Sequence, residues 1–209
     1  MTWLSVILSF FPTLVMLLGV VSFVWLCIEP SIFSAVALLA VFYVLPLLVY
    51  WLHHLFYPLK EGISYLEGKN YAPWWGTHQI QLIYIAFPAL ETILRLIPGL
   101  FSLWLRLWGA KVGQGVYWTS RLEIGDRSLL EIGDRVVFGH GIGIYSHAVK
   151  PKKDNLMLYA KRVKIGDGAF ISAGCRLGPG VEIPAGAYVP VTTDLYPNQK
   201  WDEDTGTRR

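Results

Sequence analysis

The back half of the chain, from about Val112 to Val191, repeats apolar residues with a period of six. The positions that carry the period are Val112, Trp118 and Ile124, then Ile132, Phe138 and Ile144, and then Ile165, Ile171, Leu177, Ile183 and Val189. A short fixed period is typical of solenoids, and a period of six is typical of a parallel β-helix. Each face of a three-sided coil of about 18 residues directs a large aliphatic residue inward, and stacked coils align these residues in columns.

Small and turn-forming residues mark the corners of the predicted coil. Ile-Gly-Asp occurs at 124–126, 132–134 and 165–167, and Asp-Gly and Gly-Pro steps are typical of turns. Four small residues fall four positions after an aliphatic residue, where a second, tighter inward position is expected: Ser128, Ala148, Ala169 and Cys175. An ordinary antiparallel sheet is the alternative interpretation of this half of the chain.

The period slips by two residues between Ile124 and Ile132 and breaks more widely between Val149 and Val163. Ile144 and Ile165 are 21 residues apart, three more than one coil, so the segment between them is expected to leave the coil. Its basic residues are Lys150, Lys152, Lys153, Lys161, Arg162 and Lys164, against one acidic residue, Asp154. Such charge suits the phosphates of a ligand such as coenzyme A or an anionic lipid, and both uses stay open.

The front of the chain contains two apolar runs, Trp3 to Ile28 and Ile32 to Tyr57. Each is long enough to cross a hydrocarbon layer of about 30 Å, and Pro12 and Pro46 are expected to interrupt the two helices. A cleaved signal peptide is the alternative, but the first five residues contain no basic side chain. The pattern predicts a transmembrane helical hairpin over residues 1–58.

Charge is distributed unevenly along the chain. No Lys or Arg precedes Lys60, and Glu29 in the tight turn is the only acidic residue before it. His53 and His54 lie near the end of the second run and Lys60 follows it, and basic flanks stay on the cytoplasmic side. We therefore expect a protein of the cytoplasmic (inner) membrane whose β-helix lies on the cytoplasmic side. The net charge of +3 indicates no partner by itself, and no nucleic-acid partner is expected.

Residues 59–108 contain a polar, aromatic linker followed by an apolar stretch, Gln79 to Trp108, that includes Glu91, Arg95 and Arg106. A third membrane span would bury these charges at a cost of about 3 kcal/mol each. Amphipathic helices in the membrane interface fit better, with the two arginines at the lipid head groups. An internal helix that packs on the hairpin is the alternative.

Two histidines, His140 and His147, lie in the repeat. Near neutral pH an imidazole is a suitable general base for removing a proton from a hydroxyl or an amine. His147 follows Tyr145 and Ser146 at the point where the chain leaves the coil, so we predict His147 as the catalytic base. A structural role is the alternative for a lone histidine, and it is favoured for His140, which is kept with Tyr145 as a candidate binding residue.

Three segments carry a family resemblance: GIGIYSH at 141–147, VKIGDGAFISAG at 163–174 and GAYVPVTTDLYPN at 186–198. From about Val112 to Asn198 the chain resembles the hexapeptide-repeat acyltransferases, which include the maltose, galactoside and xenobiotic acetyltransferases. The resemblance implies a left-handed β-helix and a homotrimer with active sites in the grooves between subunits.

The same resemblance implies roles for particular residues. His147 matches the base that deprotonates the acceptor for attack on a coenzyme A thioester, and no metal is expected. Four residues match positions that line the pantetheine and phosphate groove: Ser172, Ala173, Thr192 and Thr193. Lys161, Arg162 and Lys164 are expected to meet the phosphates. The donor is acetyl-CoA or another acyl-CoA, and an acyl-carrier protein stays open.

A second resemblance covers Trp74 to Gly115, where an apolar segment that ends in LRLWGAKVG at 105–113 is similar to the junction in membrane-bound hexapeptide domains. These include the terminal domains of poly-lysine-type nonribosomal peptide synthetases, and the similarity implies membrane attachment. The predicted fold class is α+β, with N-terminal transmembrane and interfacial helices followed by a β-helix of about four coils. The predicted divisions are 1–58 for the hairpin, 59–108 for the linker and interfacial helices, 109–198 for the β-helix and 199–209 for a flexible tail.

The sequence thus predicts a membrane-anchored acyltransferase, an O- or N-acetyltransferase in character, that acts on a hydrophobic or lipid-linked acceptor at the lipid bilayer. Two alternatives remain. The first is a non-enzymatic membrane scaffold that assembles through the faces of the β-helix. The second is a zinc carbonic anhydrase on the same fold, which needs three histidine ligands and would have to use His140 and His147.

Overall fold

The computed structural model describes residues 1–67, 69–202 and 207–208, the last two by their backbone alone. The chain forms two compact units. The first comprises residues 1–60 and 66–87, and the second comprises residues 61–65 and the chain from residue 88 onward.

The first unit is helical. Its elements are α1 (Trp3–Ser9), α2 (Phe11–Ile28), α3 (Ile32–Leu39), a π-helical segment (Ala40–Val44), α4 (Leu45–Phe56) and α5 (Pro73–Ala86). Pro12 lies in the first turn of α2, and Pro46 lies in the first turn of α4, directly after the π-helical segment. Proline lacks an N–H and clashes with the preceding turn, which is why both apolar runs are interrupted beside these residues, as predicted.

The two apolar runs are helices that are long and apolar enough to cross a membrane, judged by length and composition. They extend over Trp3–Ile28 and Ile32–Phe56, with mean hydropathies of 2.4 and 2.6. A capping box closes the turn between them, because the Ser31 hydroxyl accepts the Ser34 N–H while the Ser34 hydroxyl accepts the Ser31 N–H. Most large apolar side chains of these two helices are exposed and not buried within the protein.

The second unit contains two helices and the strands. The helices are α6 (Ala89–Arg95) and α7 (Leu100–Leu107). The strands are β1 (Gly62–Tyr65), β2 (Lys111–Val112), β3 (Leu122–Ile124), β4 (Leu130–Ile132), β5 (Val137–Phe138), β6 (Ile142–Ile144), β7 (His147–Lys152), β8 (Asn155–Ala160), β9 (Val163–Ile165), β10 (Phe170–Ile171), β11 (Arg176–Leu177), β12 (Glu182–Ile183), β13 (Tyr188–Val189), β14 (Asp194–Leu195), β15 (Trp201–Asp202) and β16 (Thr207–Arg208).

Three parallel sheets form the repeat. Sheet 1 contains β3, β6, β11 and β14, sheet 2 contains β2, β4, β9 and β12, and sheet 3 contains β5, β10 and β13. The chain visits the sheets in the order 1, 2, 3 and then returns, and all pairings within them are parallel. The predicted parallel β-helix is therefore confirmed, and the antiparallel alternative is wrong for this region.

The inward columns are those that the period of six predicts. Nine of these residues are fully or almost fully buried: Ile124, Ile132, Phe138, Ile144, Ile165, Ile171, Leu177, Ile183 and Val189. Ser128, Ala169 and Cys175 occupy the predicted tighter inward positions and are buried. Ala148 is only half-buried because the chain has already left the coil, so the prediction for that residue is wrong.

Helix α7 covers the first coil of the β-helix. Trp118 stacks on Phe138 with ring centroids 4.8 Å apart, and Phe101 of α7 meets the Trp118 ring edge-on at 5.1 Å. The Trp118 indole N–H donates to the Ser102 hydroxyl at 2.8 Å. These contacts close the apolar end of the coil, which would otherwise be exposed to water.

The glycine and the aspartate of Ile-Gly-Asp each have a physical role where sheet 2 passes to sheet 3. Asp167 accepts the backbone N–H of Asp134 at 2.8 Å, and Asp134 accepts that of Gln114 at 2.7 Å. A Cβ atom at Gly133 would lie 2.6 Å from the backbone nitrogen of Asp167, so only glycine allows the coils to approach this closely.

The excursion is a β-hairpin of β7 and β8, which pairs antiparallel with β1 in a three-stranded sheet. The prediction that the chain leaves the coil here is confirmed, but its length is wrong. Ile144 lies in sheet 1 and Ile165 in sheet 2, which are consecutive faces. The insertion therefore adds 15 residues to the usual spacing of six, rather than three residues to a whole coil.

The helices that follow the hairpin differ from the prediction. Helix α5 belongs to the first unit and packs on α1, α2 and α4, which is the alternative of an internal helix on the hairpin. In α6, the Arg95 side chain is only 4% exposed and donates to the Ser120 carbonyl at 2.9 Å. The expectation that Arg95 lies at the lipid head groups of the membrane interface is wrong, because its guanidinium faces Glu91 and Ser120 within the second unit.

The chain stays paired beyond residue 198, where the sequence predicts the start of a flexible tail. Lys200 bridges in parallel to Glu182, and Trp201 is buried. Strand β15 pairs antiparallel with β16. Residues 203–206 and 209 of the predicted tail lie outside the described residues.

Candidate active site

His147 lies at the 1–2 corner, the side of the coil where the chain passes from sheet 1 to sheet 2. It follows β6 by three residues and is the first residue of β7, where it pairs with Ala160. Its side chain is 19% exposed. The side chain of His147 is therefore partly accessible, while the pairing of β7 with β8 holds its backbone in place.

Asp126 is the residue that orients His147. Its carboxylate oxygen Oδ2 lies 2.6 Å from Nδ1 of His147, and its side chain is fully buried. An ionised carboxylate only accepts hydrogen bonds, so Nδ1 of the imidazole carries the proton and Nε2 has basic character. Sequence reasoning missed Asp126, because this aspartate belongs to an Ile-Gly-Asp motif that is otherwise structural.

The loop that carries Asp126 is attached to α6 by a buried ion pair. Arg127 donates to both carboxylate oxygens of Glu91, at 2.5 and 2.9 Å. The Trp104 indole N–H donates to Glu91 at 2.9 Å, and Glu91 and Arg127 are both almost completely buried. A bidentate pair of this kind fixes position as well as charge, so it holds the backbone on one side of Asp126.

Tyr145 forms part of the surface beside His147. A Cβ atom at Gly125 would lie 3.4 Å from the Tyr145 ring and 3.5 Å from the His147 ring, at ordinary contact distance, so both rings lie beside the backbone of Gly125. Burial raises the pKa of the Tyr145 hydroxyl, and its hydrogen bond to Glu123 and the charge of Glu123 raise it further, against Arg176. Tyr145 is therefore a neutral phenol beside the imidazole.

Five of the predicted binding residues lie together at the 3–1 corner, where sheet 3 passes to sheet 1. They are His140, Ser172, Ala173, Thr192 and Thr193. Backbone hydrogen bonds connect the successive coils at this corner. The Gly174 N–H donates to the His140 carbonyl at 2.8 Å, and the Thr192 N–H donates to the Ala173 carbonyl at 2.9 Å. The buried Ser172 hydroxyl has no hydrogen-bond partner among the described residues.

The three predicted basic residues lie apart. Lys161 donates to Asn198 at 3.0 Å, Arg162 is 3.5 Å from Glu61, and Lys164 is 3.6 Å from Glu182 on the outward face of sheet 2. Each side chain thus has a partner within the chain. The structure does not bring these three residues to one phosphate-binding cluster, because Lys161 and Arg162 lie between β8 and β9, Lys164 lies in β9, and each contacts a different partner.

Within one chain, His147 and the 3–1 corner lie at opposite ends of sheet 1. His140 precedes β6 and His147 follows it, so the two histidines do not share a site. The same separation applies to Ser172, Ala173, Thr192 and Thr193, which precede the strands of sheet 1. The pair of histidines that the carbonic anhydrase alternative needs is therefore not formed within one chain.

No protein-family model and no curated protein sequence matches the chain. Among solved structures, a hexapeptide-repeat-containing acetyltransferase from Vibrio cholerae O1 biovar eltor, complexed with acetyl coenzyme A, is 15% identical. That match covers 64% of this chain and 87% of the other, with a TM-score of 0.43.

Two further structures are similar to the chain. A maltose O-acetyltransferase from Clostridium difficile 630 is 19% identical, covering 54% of this chain and 77% of the other with a TM-score of 0.31. Serine acetyltransferase isoform 3 from Entamoeba histolytica, in complex with cysteine, is 13% identical, covering 57% and 59% with a TM-score of 0.27. All three proteins are acetyltransferases, the kind of protein that the sequence motifs resemble.

Proposed function

We propose that this chain is a membrane-anchored acyltransferase that moves an acyl group from a coenzyme A thioester to a hydroxyl or amine of an amphipathic or lipid-linked acceptor. The observation that carries the proposal is the pairing of His147 with the buried Asp126 at 2.6 Å. A histidine with Nδ1 held by a carboxylate is suited to proton transfer at Nε2.

In the proposed reaction, Nε2 of His147 takes the proton from the acceptor hydroxyl or amine. The acceptor oxygen or nitrogen then attacks the thioester carbonyl, and the carbon–sulfur bond breaks. The coenzyme A thiolate leaves and takes the proton from the imidazolium, so the products are an ester or amide and free coenzyme A. Asp126 stabilises the imidazolium while the proton is on His147.

The outward faces of the sheets support a homotrimer. Sheet 3 presents an aligned row of largely apolar residues: Tyr117, Val137, Phe170 and Tyr188. Sheet 2 presents an alternating row of charges: Lys111, Glu131, Lys164, Glu182 and Lys200. Burial of the sheet 3 face between copies is favoured by the hydrophobic effect.

A trimer of left-handed β-helices of about four coils each would also complete the site. Within one chain, His147 is separated from the proposed donor groove of Ser172, Ala173, Thr192 and Thr193. A neighbouring copy would supply that groove, with an acyl-CoA as the donor. The proposed assignment of the groove rests on the sequence resemblance and on the stacked backbone of the 3–1 corner.

Membrane attachment by α1 to α4 supports a lipid-linked acceptor. A soluble acceptor would need no apolar hairpin, whereas an acceptor in the bilayer can be reached only from its surface. The position of Lys60 after the second apolar run places the β-helix on the cytoplasmic side of the inner membrane in this proposal, where acyl-CoA is available.

The test is release of free coenzyme A by the detergent-purified full chain. Acetyl-CoA and longer acyl-CoAs are offered with and without a membrane lipid extract, and His147→Ala is compared with Lys111→Ala, since Lys111 is exposed on the outward face of sheet 2. We expect release that requires the extract, falls about 100-fold or more in His147→Ala and persists in Lys111→Ala.

The outcomes are distinct. The preferred thioester would identify the acyl chain. Release that proceeds equally in His147→Ala would contradict the assignment of the base. Complete absence of release with any acyl-CoA, together with absence of coenzyme A binding, would favour the scaffold alternative.

A further inference from the structure

A cavity of about 440 Å³ lies within the second unit, between α6, α7 and the first coil. Its wall includes two arginines, Arg95 and Arg106, and the apolar or aromatic side chains of Ile97, Phe101, Tyr117 and Trp118. The volume is in the range typical of small-molecule sites. None of the proposed acyl-transfer residues lines it.

The cavity carries an excess of positive charge. Its lining includes two arginines and no acidic residue. Two carboxylates lie just outside the lining: that of Glu91 binds Arg127 at 2.5 and 2.9 Å and lies 3.6 Å from Arg95, and that of Asp134 accepts the backbone N–H of Gln114 at 2.7 Å. Arg106 donates only to the backbone carbonyls of Val112 and Gly113, and among the described residues no carboxylate pairs with it. An anion in the cavity would meet two incompletely neutralised guanidinium groups.

Arg95 provides a second, independent indication of an anionic ligand. Its side chain is 4% exposed, and its Nε atom is buried without a hydrogen-bond partner among the described residues. Burial lowers the pKa of the Arg95 guanidinium, against the opposing effect of Glu91. A buried donor without an acceptor is costly, and an acceptor of negative charge offsets that cost.

The remaining wall is suited to an apolar tail. Phe101 and Trp118 are in edge-to-face contact, and the guanidinium carbon of Arg95 lies 4.3 Å from the Phe101 ring centroid. Helices α6 and α7 and the turn between them also expose large apolar residues: Ile93, Leu96, Ile97, Leu103 and Leu107. Cationic and apolar surfaces are therefore adjacent, which is the arrangement that an amphiphile requires.

We propose that this cavity binds an anionic amphiphile, a molecule with a phosphate or carboxylate head and an acyl tail. Arg106 and Arg95 bind the head, and Ile97, Phe101 and Trp118 contact the tail. The site is separate from His147, so the inference does not depend on the proposed acyl transfer.

The test measures ligand binding to the full chain in detergent by native mass spectrometry. The probes are dioleoyl-phosphatidylglycerol, oleate, dioleoyl-phosphatidylcholine and inorganic phosphate. Arg106→Gln removes the cationic head contact, and Arg121→Gln is the matched control, because Arg121 is an exposed arginine outside the cavity. Ile97→Trp narrows the cavity from an exposed position.

We expect phosphatidylglycerol, oleate or both to bind at least about tenfold more tightly than phosphatidylcholine, since the choline ammonium of that zwitterionic head offsets the charge of its phosphate and is repelled by the two arginines. Arg106→Gln should weaken that binding about tenfold, Ile97→Trp should weaken it, and Arg121→Gln and His147→Ala should leave it unchanged. A preference for the phospholipid or for oleate identifies the source of the anionic head.

Equal affinity for phosphatidylglycerol and phosphatidylcholine would overturn the proposal, as would unchanged binding in Arg106→Gln. Binding of inorganic phosphate as tight as that of the amphiphiles would overturn the assignment of a tail. Because His147→Ala is included, loss of acyl transfer and loss of amphiphile binding are measured separately.

Discussion

Ile-Gly-Asp occurs three times in the coil, and its aspartates have two kinds of partner. Asp134 and Asp167 accept backbone N–H groups of the neighbouring coil where sheet 2 passes to sheet 3. Asp126 lies at the 1–2 corner instead and accepts from the His147 imidazole. The difference arises because Ile124 lies in sheet 1, whereas Ile132 and Ile165 lie in sheet 2, so the first motif turns at a different corner from the other two.

Replacement of Asp126 should impair catalysis by His147 more than donor binding. In Asp126→Asn the amide can accept or donate, so the imidazole tautomer is no longer fixed and the imidazolium loses its counter-charge. We expect kcat for coenzyme A release to fall about 100- to 10,000-fold while KM for the acyl-CoA changes little. Steady-state kinetics of the detergent-purified variant measure both.

Asp126→Glu is the conservative control, since it keeps the charge and should recover part of kcat. The melting temperature of each variant separates an effect on orientation from a loss of folding. A KM that rises while kcat is retained would argue that Asp126 acts on donor binding instead.

At the scale of elements, α6 and the first wide corner are connected by charge. Glu91 of α6 binds Arg127 of the corner, and both side chains are almost completely buried. The sequence contains both residues but no pattern that joins them, because they lie on a helix and a loop separated by 36 residues. The pair is buried because α6 packs against this corner of the coil.

Glu91→Gln should destabilise the second unit strongly. The substitution leaves the Arg127 guanidinium buried without its counter-charge and removes the partner of Arg95 as well. Removal of one member of a buried pair costs about 3–5 kcal/mol of the free energy of unfolding. Thermal or denaturant unfolding of the purified protein measures the effect.

The double variant Glu91→Leu with Arg127→Met is the matched control, because it removes both charges and fills their space with apolar side chains of similar size. It should recover a substantial part of the lost stability. Equal stability of Glu91→Gln and the unsubstituted protein would show that water or another nearby acceptor satisfies Arg127.

The six-residue period predicts where the β7–β8 insertion begins but not which strand it pairs with. The loss of the period after Ile144 correctly predicted that the chain leaves the coil. It did not predict a hairpin that pairs with β1, because β1 lies more than 80 residues before β7 and its pairing depends on tertiary contact. The period likewise does not predict the partners of Lys161, Arg162 and Lys164, which are close in sequence but contact three different residues.

At the scale of the whole molecule, the three sheets differ in their outward chemistry. The face of sheet 3 is largely apolar, with Phe170 43% and Tyr188 57% exposed and their ring centroids 5.9 Å apart. The faces of sheets 1 and 2 carry ion pairs such as Arg176 with Asp194. In the proposed trimer, the apolar face is the one that is buried between copies.

Glutamates on the sheet 3 face should dissociate the proposed trimer. In the double variant Phe170→Glu with Tyr188→Glu, burial of the face would place like charges in an apolar interface. We expect the protein mass, measured by light scattering with correction for detergent, to fall from three copies to one. Coenzyme A release should fall with it, since the proposed site needs a neighbouring copy.

Lys111→Glu is the matched control, because it introduces the same charge on the outward face of sheet 2 and should leave the mass unchanged. A double variant that remains trimeric would exclude the sheet 3 face as the contact. A fully active monomer would show that one chain contains the complete site.

The period of six alone predicts the coil and the position of His147 at its interruption. An aliphatic residue must recur at every inward position whatever else the chain does, so the period of six is visible without a structure, and a histidine at the edge of an interruption stands out from it. The hydrogen-bond partners of these residues depend on the tertiary structure. Asp126 and His147 are 21 residues apart and meet because one coil stacks on the next. Contacts of this kind depend on coil length, insertions and packing, which no local pattern specifies.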